Sequence, residues 1–290
     1  MWTERTELLL GTEGLEKLAA SRVAVVGVGG VGAAAAEMLV RAGIGHIVII
    51  DNDDVSESNI NRQLLALHST VGQPKVEVLR SRLLDINPEL DLIVVQEYLT
   101  EDALRTEDSP DKLPLRSIPP TVCDVPSELA SSGSLPLTCP RVDTASSGES
   151  SVRKALSGVD FVVDAIDTLS PKIALIQFCL SNGIPLVSSM GSGAKLDVTA
   201  VRIADISKTY ECPLAHMLRK RLHKVGIRSG FKAVFSVEKP LEGATVLEES
   251  RNKKSQVGTI SYLPTVFGCA CAQVAIQTLT ATSDLGASDA

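Results

Sequence analysis

Apolar residues fall along this chain in two patterns. In the first they form short unbroken runs, at residues 23–26 (VAVV), 46–50 (HIVII), 92–95 (LIVV), 159–165 (VDFVVDA) and 184–188 (IPLVS). Such runs, rich in β-branched residues, predict strands buried on both faces, as in a parallel sheet. In the second pattern apolar positions recur at helical spacing. Residues 4–20 carry Leu8, Leu15 and Leu18 among charges, which suits an amphipathic helix or a helix-turn-helix, with Gly11 and Gly14 marking a break within it. Residues 75–85 place Val76, Leu79 and Leu83 on one face, with Pro74 near the helix start and Asn87-Pro88 at its end. Residues 171–182, closed by Gly183, residues 214–225 with Leu214, Leu218, Leu222 and Val225, and residues 266–279 complete the predicted helices. Residues 191–206 read as a glycine-containing turn and an alternating strand, 233–237 as a further strand, and the remainder to 260 as a polar loop.

Residues 100–151 interrupt this order. They hold half of the chain's 14 prolines together with many serines and acids, a poor core-building composition that predicts a mobile insertion. The rest alternates strand and helix as one domain spanning residues 1–290. The expected class is α/β, a Rossmann-like doubly wound and mostly parallel sheet with an irregular insertion and a C-terminal α+β extension.

Composition narrows the picture only in places. Aromatic residues make up 3%, so the core must be aliphatic, and the net charge of −7 argues against a wholly basic nucleic-acid binder. Cys123, Cys139, Cys179, Cys212, Cys269 and Cys271 form no Cys-x-x-Cys pair, which disfavours a structural zinc site. The charged start MWTERTELLL is unlike a secretory signal. Residues 263–281 are interrupted by Pro264, Gly268, Gln273 and Gln277, which favours a buried helix over direct membrane insertion. A reducing, cytoplasmic setting is the expectation.

The first candidate chemistry lies between the first two strands, where the chain reads Gly27-Val28-Gly29-Gly30-Val31-Gly32 before an alanine-rich helix. A strand, a glycine turn and a helix N-terminus suit a nucleotide phosphate, and Asp51 at the end of the second strand suits ribose hydroxyls. That fingerprint alone fits a nicotinamide or flavin dinucleotide equally well. Arg62, Lys75 and Asp167 follow at strand and helix ends. Two cations and one acid suit a triphosphate with magnesium, because charge builds on departing pyrophosphate. Residues 217–232 contain six basic residues, Arg219, Lys220, Arg221, Lys224, Arg228 and Lys232, and no acid. These fit either a solvated helix face or a phosphate-contacting patch.

GVGGVG, the Asp51 strand end, Asn59-Ile60-Asn61-Arg62-Gln63, Lys75 and Asp164-Ala165-Ile166-Asp167 together resemble the ubiquitin-activating-enzyme-like (E1-like) adenylating superfamily. RTELLLGTEGLEKL, SNINRQLLALHSTVGQPKVEV, INPE, DAIDTLSPK and AVFSVEKP are similar to its tRNA threonylcarbamoyladenosine dehydratase branch, across nearly the whole chain outside the insertion. The resemblance implies activation of the threonyl carboxylate of a modified adenosine, next to the anticodon, with ATP and Mg2+. It further implies that Gly27, Gly29, Gly30 and Gly32 cradle phosphate, with Asp51 and Asp53 at the nucleotide. Arg62 and Lys75 would hold phosphates, with Asn61 and Gln63 assisting, and Asp167 would position the metal. In an expected homodimer, Arg5 would reach the ATP of a partner subunit. Residues 191–265 would face tRNA, and the basic segment gains weight as its contact.

Two departures stand out. Ala233 occupies a position where some relatives carry cysteine, so a sulfur relay there is unsupported, and the insertion is unusual. Two alternatives stay open: adenylation of the C-terminus of a sulfur-carrier or ubiquitin-like protein, with Cys212 and Cys179 as weak thioester candidates, and a nucleotide-binding scaffold without turnover. Nicotinamide-dependent oxidoreduction ranks last, since it leaves Arg62 and Lys75 unexplained.

Overall fold

The structure is a computed structural model that describes residues 2–104, 150–247 and 255–281. In chain order the elements are α1 (Glu4–Ala20), β1 (Arg22–Val26), α2 (Gly30–Ala42), β2 (His46–Ile50), α3 (Lys75–Ile86), β3 (Asp91–Val95), α4 (Glu101–Leu104), α5 (Ser151–Ala155), β4 (Phe161–Asp164), α6 (Leu169–Ser181), β5 (Leu186–Ser189), β6 (Val201–Asp205), α7 (Pro213–Lys224), β7 (Lys232–Ser236), β8 (Thr245–Leu247), β9 (Ser255–Val257) and α8 (Leu263–Thr280). Among the described residues the main sheet has seven strands in the order β3-β2-β1-β4-β5-β7-β6. Every neighbouring pair is parallel except β6 with β7. This is the expected doubly wound α/β fold.

The unbroken apolar runs serve two cores at once. Val23, Val25, Ile47, Ile49, Phe161 and Val163 point to one face, where they meet buried residues of α2, α3 and α8. Their neighbours Ala24, Val26, Val48, Ile50 and Val162 point to the other, against Leu175 and Ile176 of α6 and Leu218 and Leu222 of α7. Both sets are buried, so alternation in space leaves no alternation in sequence. Helix α8 is long and apolar enough to cross a membrane by length and composition. It packs against α2 and the sheet, burying Phe267, Cys271, Val274 and Ala275.

The break expected within α1 falls at Gly11 (φ 74°), while Gly14 continues the helix and is buried. Two expectations change. The polar stretch after β7 contains a short antiparallel pair, β8 with β9. At three residues each, Thr-Val-Leu and Ser-Gln-Val are too short to show an alternating period. The expected insertion is ordered at its borders. Thr100 Oγ1 accepts the Ala103 N–H at 3.1 Å, and Leu104 and Val152 are buried. The expected mobility of residues 105–149 lies outside the described residues, as do Cys123 and Cys139.

Candidate nucleotide-binding site

The site is set by where the sheet reverses its order. Strand β1 pairs with β2 on one side and β4 on the other, with Val26 level with both Ile50 and Asp164. The chain therefore leaves β1, β2 and β4 together, at the carboxyl edge where open α/β sheets form a crevice. Gly27 N–H donates to Ile50 O (2.8 Å) and Ala165 N–H to Val26 O (2.9 Å). These bonds clamp the glycine turn between the two neighbouring exits.

Gly27 adopts φ 86°, and a Cβ there would stand 2.9 Å from Ala165 O. A Cβ on Gly32 would stand 1.8 Å from Gly27 O, so the turn closes only without side chains at these positions. Gly29 caps α2 without a side-chain hydrogen bond, leaving first-turn N–H groups for an anion. The loop carrying Arg62 and Gln63 lies directly against this turn. A Cβ on Gly30 would be 3.0 Å from Arg62 O, and one on Gly29 would be 3.6 Å from Gln63 Nε2.

Asp51 uses both carboxylate oxygens on backbone. Oδ2 accepts Val28 N–H (2.6 Å) and Oδ1 accepts Asp53 N–H (2.8 Å). Each oxygen retains a further lone pair for a ligand hydroxyl. Burial raises the Asp51 carboxyl above its usual range, an effect partly offset by Lys75 and by the Asp53 and Val28 amides. Lys75 opens α3 and is buried, its Nζ 2.8 Å from Oδ2 of the more exposed Asp53. Arg62 Nη1 donates to Ser58 O (2.8 Å) and Asn61 Oδ1 (2.7 Å), and Asn61 Nδ2 reaches Thr259 O (2.9 Å). Gln63 Oε1 is buried with no hydrogen-bond partner among the described residues.

On the other side, Asp167 is exposed on the loop between β4 and α6. Behind it lies a cluster the sequence reading missed. Asp164 and Lys172 are both fully buried, with Nζ–Oδ2 at 2.9 Å. Ser188 Oγ donates to Asp164 Oδ2 (2.6 Å), Lys172 Nζ donates to Ile166 O (2.8 Å), and Asp164 Oδ1 accepts Ile166 N–H (3.1 Å). The signal available was a lysine among apolar residues in α6. Lys195, also missed, is buried and donates to Glu211 O (3.0 Å), Ser236 O (2.8 Å) and Glu238 O, joining three segments of the 191–265 region. Burial lowers its pKa.

Not every candidate joins this edge. Thr3 Cγ2 and Leu15 Cδ1 lie 3.7 and 2.8 Å from the place of a Cβ on Gly43, at the far end of α2. The exposed Arg5 is therefore roughly one helix length, about 20 Å, from its own glycine turn. The basic segment is spread out. Arg219 Nη1 is held by Thr209 O (2.6 Å) and by Thr209 Oγ1, while Lys220, Arg221 and Lys224 are exposed. Lys232 faces Asp205 at the start of β7, so it and the nearby exposed Arg228 lie toward the opposite edge of the sheet. A cavity of about 220 Å³ lined by Phe161, Leu186, Phe231 and Lys232 opens on that opposite edge too.

The described cysteines offer little nucleophilic chemistry. Cys179, Cys212 and Cys271 are buried. Burial pushes the Cys179 and Cys271 thiols up to about 12, far above the range of an activated thiolate. No group of three or more His, Cys, Asp or Glu residues suited to a metal occurs among the described residues.

The chain is similar to known proteins in sequence and fold. The ThiF family pattern matches residues 4–113 and 138–288. A tRNA threonylcarbamoyladenosine dehydratase of Bacillus subtilis (strain 168) is 41% identical over 237 residues, 82% of this chain and 75% of the relative. The structure of Escherichia coli tRNA N6-threonylcarbamoyladenosine dehydratase in complex with ATP superposes with a TM-score of 0.72 at 30% identity, covering 95% of this chain and 92% of that one. Its complex with AMP gives a TM-score of 0.72 at 31% identity, with coverage of 95% and 92%. The chain belongs to the ThiF family of E1-like adenylating proteins.

Proposed function

We propose that this protein is an ATP-dependent tRNA threonylcarbamoyladenosine dehydratase, acting in the cytoplasm on the modified adenosine beside the anticodon. The observation that carries this reading is the contact of the Gly27–Gly32 turn with both flanking loops. It occurs in a chain 41% identical to a dehydratase and similar in fold to one solved with ATP and with AMP.

The residues fit a bound triphosphate. A Cβ on Gly30 would crowd Pro264 (2.9 Å) and Arg62 O (3.0 Å), so the Arg62 loop sits directly on the turn, and the buried Gln63 Oε1 beside it has no hydrogen-bond partner among the described residues. In the proposed site the α2 N-terminus and glycine amides bind phosphate, and Asp51, beside Asp53, accepts from ribose. Lys75 exchanges its Asp53 partner for phosphate oxygens, joined by Arg62. Asn61 holds the Arg62 loop in place through Arg62 Nη1 and Thr259 O, and Gln63 assists at the nucleotide. Asp167 suits Mg2+, which takes one or two carboxylates along with phosphate oxygens. When bound with ATP, the metal would neutralise phosphate charge.

The threonyl carboxylate attacks the α-phosphate, and pyrophosphate departs with its charge balanced by Lys75 and Arg62. A nitrogen of the same threonylcarbamoyl group then attacks the activated carbonyl. The ring closes, AMP leaves with the former carboxylate oxygen, and the nitrogen loses its proton. The net change is loss of one water. Because ring closure is intramolecular, positioning supplies much of its rate, and no enzyme thiolate is required.

A homodimer completes the proposal. Arg5 lies far from its own site on a helix that exposes Leu8 and Leu9, each 83% accessible, and Arg5 of the partner subunit would supply the missing cation. The whole of 1–290 acts as one adenylating domain, with 191–265 facing tRNA through the exposed Lys220, Arg221 and Lys224 of α7; Arg219, bonded to Thr209, and Arg228 and Lys232, toward the opposite edge, fall outside that contact. The Asn61–Thr259 bond ties that region to the nucleotide loop.

Mass spectrometry of nucleosides tests the activity. Threonylcarbamoylated tRNA incubated with the protein and magnesium ATP yields a nucleoside lighter by one water, together with AMP. Unchanged nucleoside after full incubation overturns the assignment.

A further inference from the structure

Both members of the buried ion pair behind the Asp167 loop bond to the main chain of one residue. Ile166 precedes Asp167, and both of its backbone groups end on the pair. Its N–H donates to Asp164 Oδ1 (3.1 Å), and its C=O accepts from Lys172 Nζ (2.8 Å). The preceding Ala165 is fixed from the other side, by its N–H bond to Val26 O (2.9 Å) and by its contact with the Gly27 turn. Ser188 Oγ (2.6 Å) occupies Asp164 Oδ2 together with Lys172. The loop is thus held between the phosphate cradle and a charged pair with no solvent exposure.

Stability alone is a weak reason to keep such a pair. Removing two charges from water is expensive, and a well-packed apolar replacement is often neutral or stabilising. Here the aliphatic surroundings include Leu175 and Ile176. Lysine and aspartate supply what an apolar pair cannot: a donor for one main-chain carbonyl and an acceptor for one main-chain amide, at fixed separation. The nearby Cys179 and Cys271 thiols, pushed up to about 12 mainly by burial, add no competing charge.

We propose that Lys172 and Asp164, braced by Ser188, are positioning residues that set the place of the Asp167 carboxylate, and hence how strongly ATP and magnesium bind together. The inference rests on the assignment of Asp167 to the metal. Both side chains are fully buried, so neither is open to a nucleotide. They act through the peptide of Ile166, as outer partners hold a metal ligand in orientation.

The experiment uses the full chain and compares the unaltered protein with the Asp164→Asn/Lys172→Met double variant and with Ser188→Ala. Calorimetry measures ATP affinity with and without saturating magnesium, and urea unfolding checks cooperativity. The double variant keeps its affinity for ATP without magnesium but loses about tenfold of the magnesium-dependent gain, the lower end of what outer-shell changes cost. Ser188→Ala loses a smaller part. An unaltered gain in both variants overturns the inference, as does equal loss with and without magnesium, which is the mark of general loosening. If the double variant does not fold, Ser188→Ala decides: an intact gain there overturns the inference. Absence of any gain in the unaltered protein overturns it together with the metal assignment. A protein that shows the gain, loses it in the variants, yet leaves tRNA unchanged supports the inference while sinking the dehydratase reading.

Discussion

The glycine turn lies between two loops that each bring a buried lysine and an aspartate to the carboxyl edge, and the two pairs are built differently. On the β2 side, the Lys75 side chain is 6% exposed and its partner Asp53 is 60% exposed. On the β4 side, Lys172 and Asp164 are both at 0%. A solvated carboxylate is easily displaced, so in the proposed site Lys75 would release Asp53 to an incoming phosphate at little cost. Lys172 has no such exchange open to it, because releasing Asp164 would leave two buried charges unpaired. On the proposed reading, the contrast separates a charge kept for the ligand from a charge kept for the loop.

The largest effect that tests this contrast is on folding. Lys172→Met leaves Asp164 buried and unpaired, and removing one partner of a buried pair costs about 3–5 kcal/mol. Urea unfolding of Lys172→Met should show a loss of that order, reduced in the Asp164→Asn/Lys172→Met double variant. Lys75→Met should be much milder, since Asp53 turns to water. Equal losses for the two lysine variants would erase the distinction between the pairs.

Activity should rank the residues differently. Lys75→Ala, Arg62→Ala and Asp167→Ala are each expected to lower kcat/KM by at least about tenfold, or about 1.4 kcal/mol of barrier. These losses should come with near-native unfolding profiles. Near-normal turnover in all three variants would defeat the site, and undiminished function after Asp167→Ala would favour a nucleotide-binding scaffold without turnover.

A smaller effect is expected in the pH dependence of stability. Asp51 is held above its ordinary carboxyl range by burial, and Lys75 opposes that shift. The folded protein therefore holds the Asp51 proton more tightly than the unfolded chain. This contribution to stability is complete below the ordinary carboxylate pKa and is lost as pH rises through the raised value. Lys75 limits the loss, so the gap between wild type and Lys75→Met should widen from acid to neutral pH. A gap that is constant with pH would mean that Lys75 does not act on Asp51 in the folded state.

Much of this site was legible in the sequence because its parts sit at element ends. Gly27–Gly32, Asp51, Lys75 and Asp167 each follow or open an element whose apolar pattern is plain, and a parallel sheet brings such ends to one edge. The Lys172–Asp164 pair was harder to see. A lysine within an apolar helix reads as one polar position among many, and its partner belongs to the neighbouring strand, so no local period joins them. The β8–β9 pair escaped for the opposite reason: three-residue strands depend on their surroundings more than on their own pattern. The place of Arg5 was also hidden, because the path of α1 over α2 is fixed by tertiary contacts at Gly43.

The same distinction between committed and available charge divides the basic segment, and it gives the smallest expected effect. Arg219 lies closest to the start of α7, but its guanidinium is spent on Thr209 O and Oγ1. Lys220, Arg221 and Lys224 are exposed on the same helix. If that face follows a tRNA backbone, each exposed residue neutralises about one phosphate, and removing it should reduce the slope of log affinity against log salt by about one. Arg219→Ala should leave the slope nearly unchanged and lower stability instead, because it strips two bonds from the segment leading into α7. Filter binding of threonylcarbamoylated tRNA over a salt series would separate the two kinds of residue. A normal slope in a Lys220, Arg221 and Lys224 triple alanine variant would remove this helix from the interface, whereas a reduced slope in Arg219→Ala alone would show that its bond to Thr209 opens when tRNA binds.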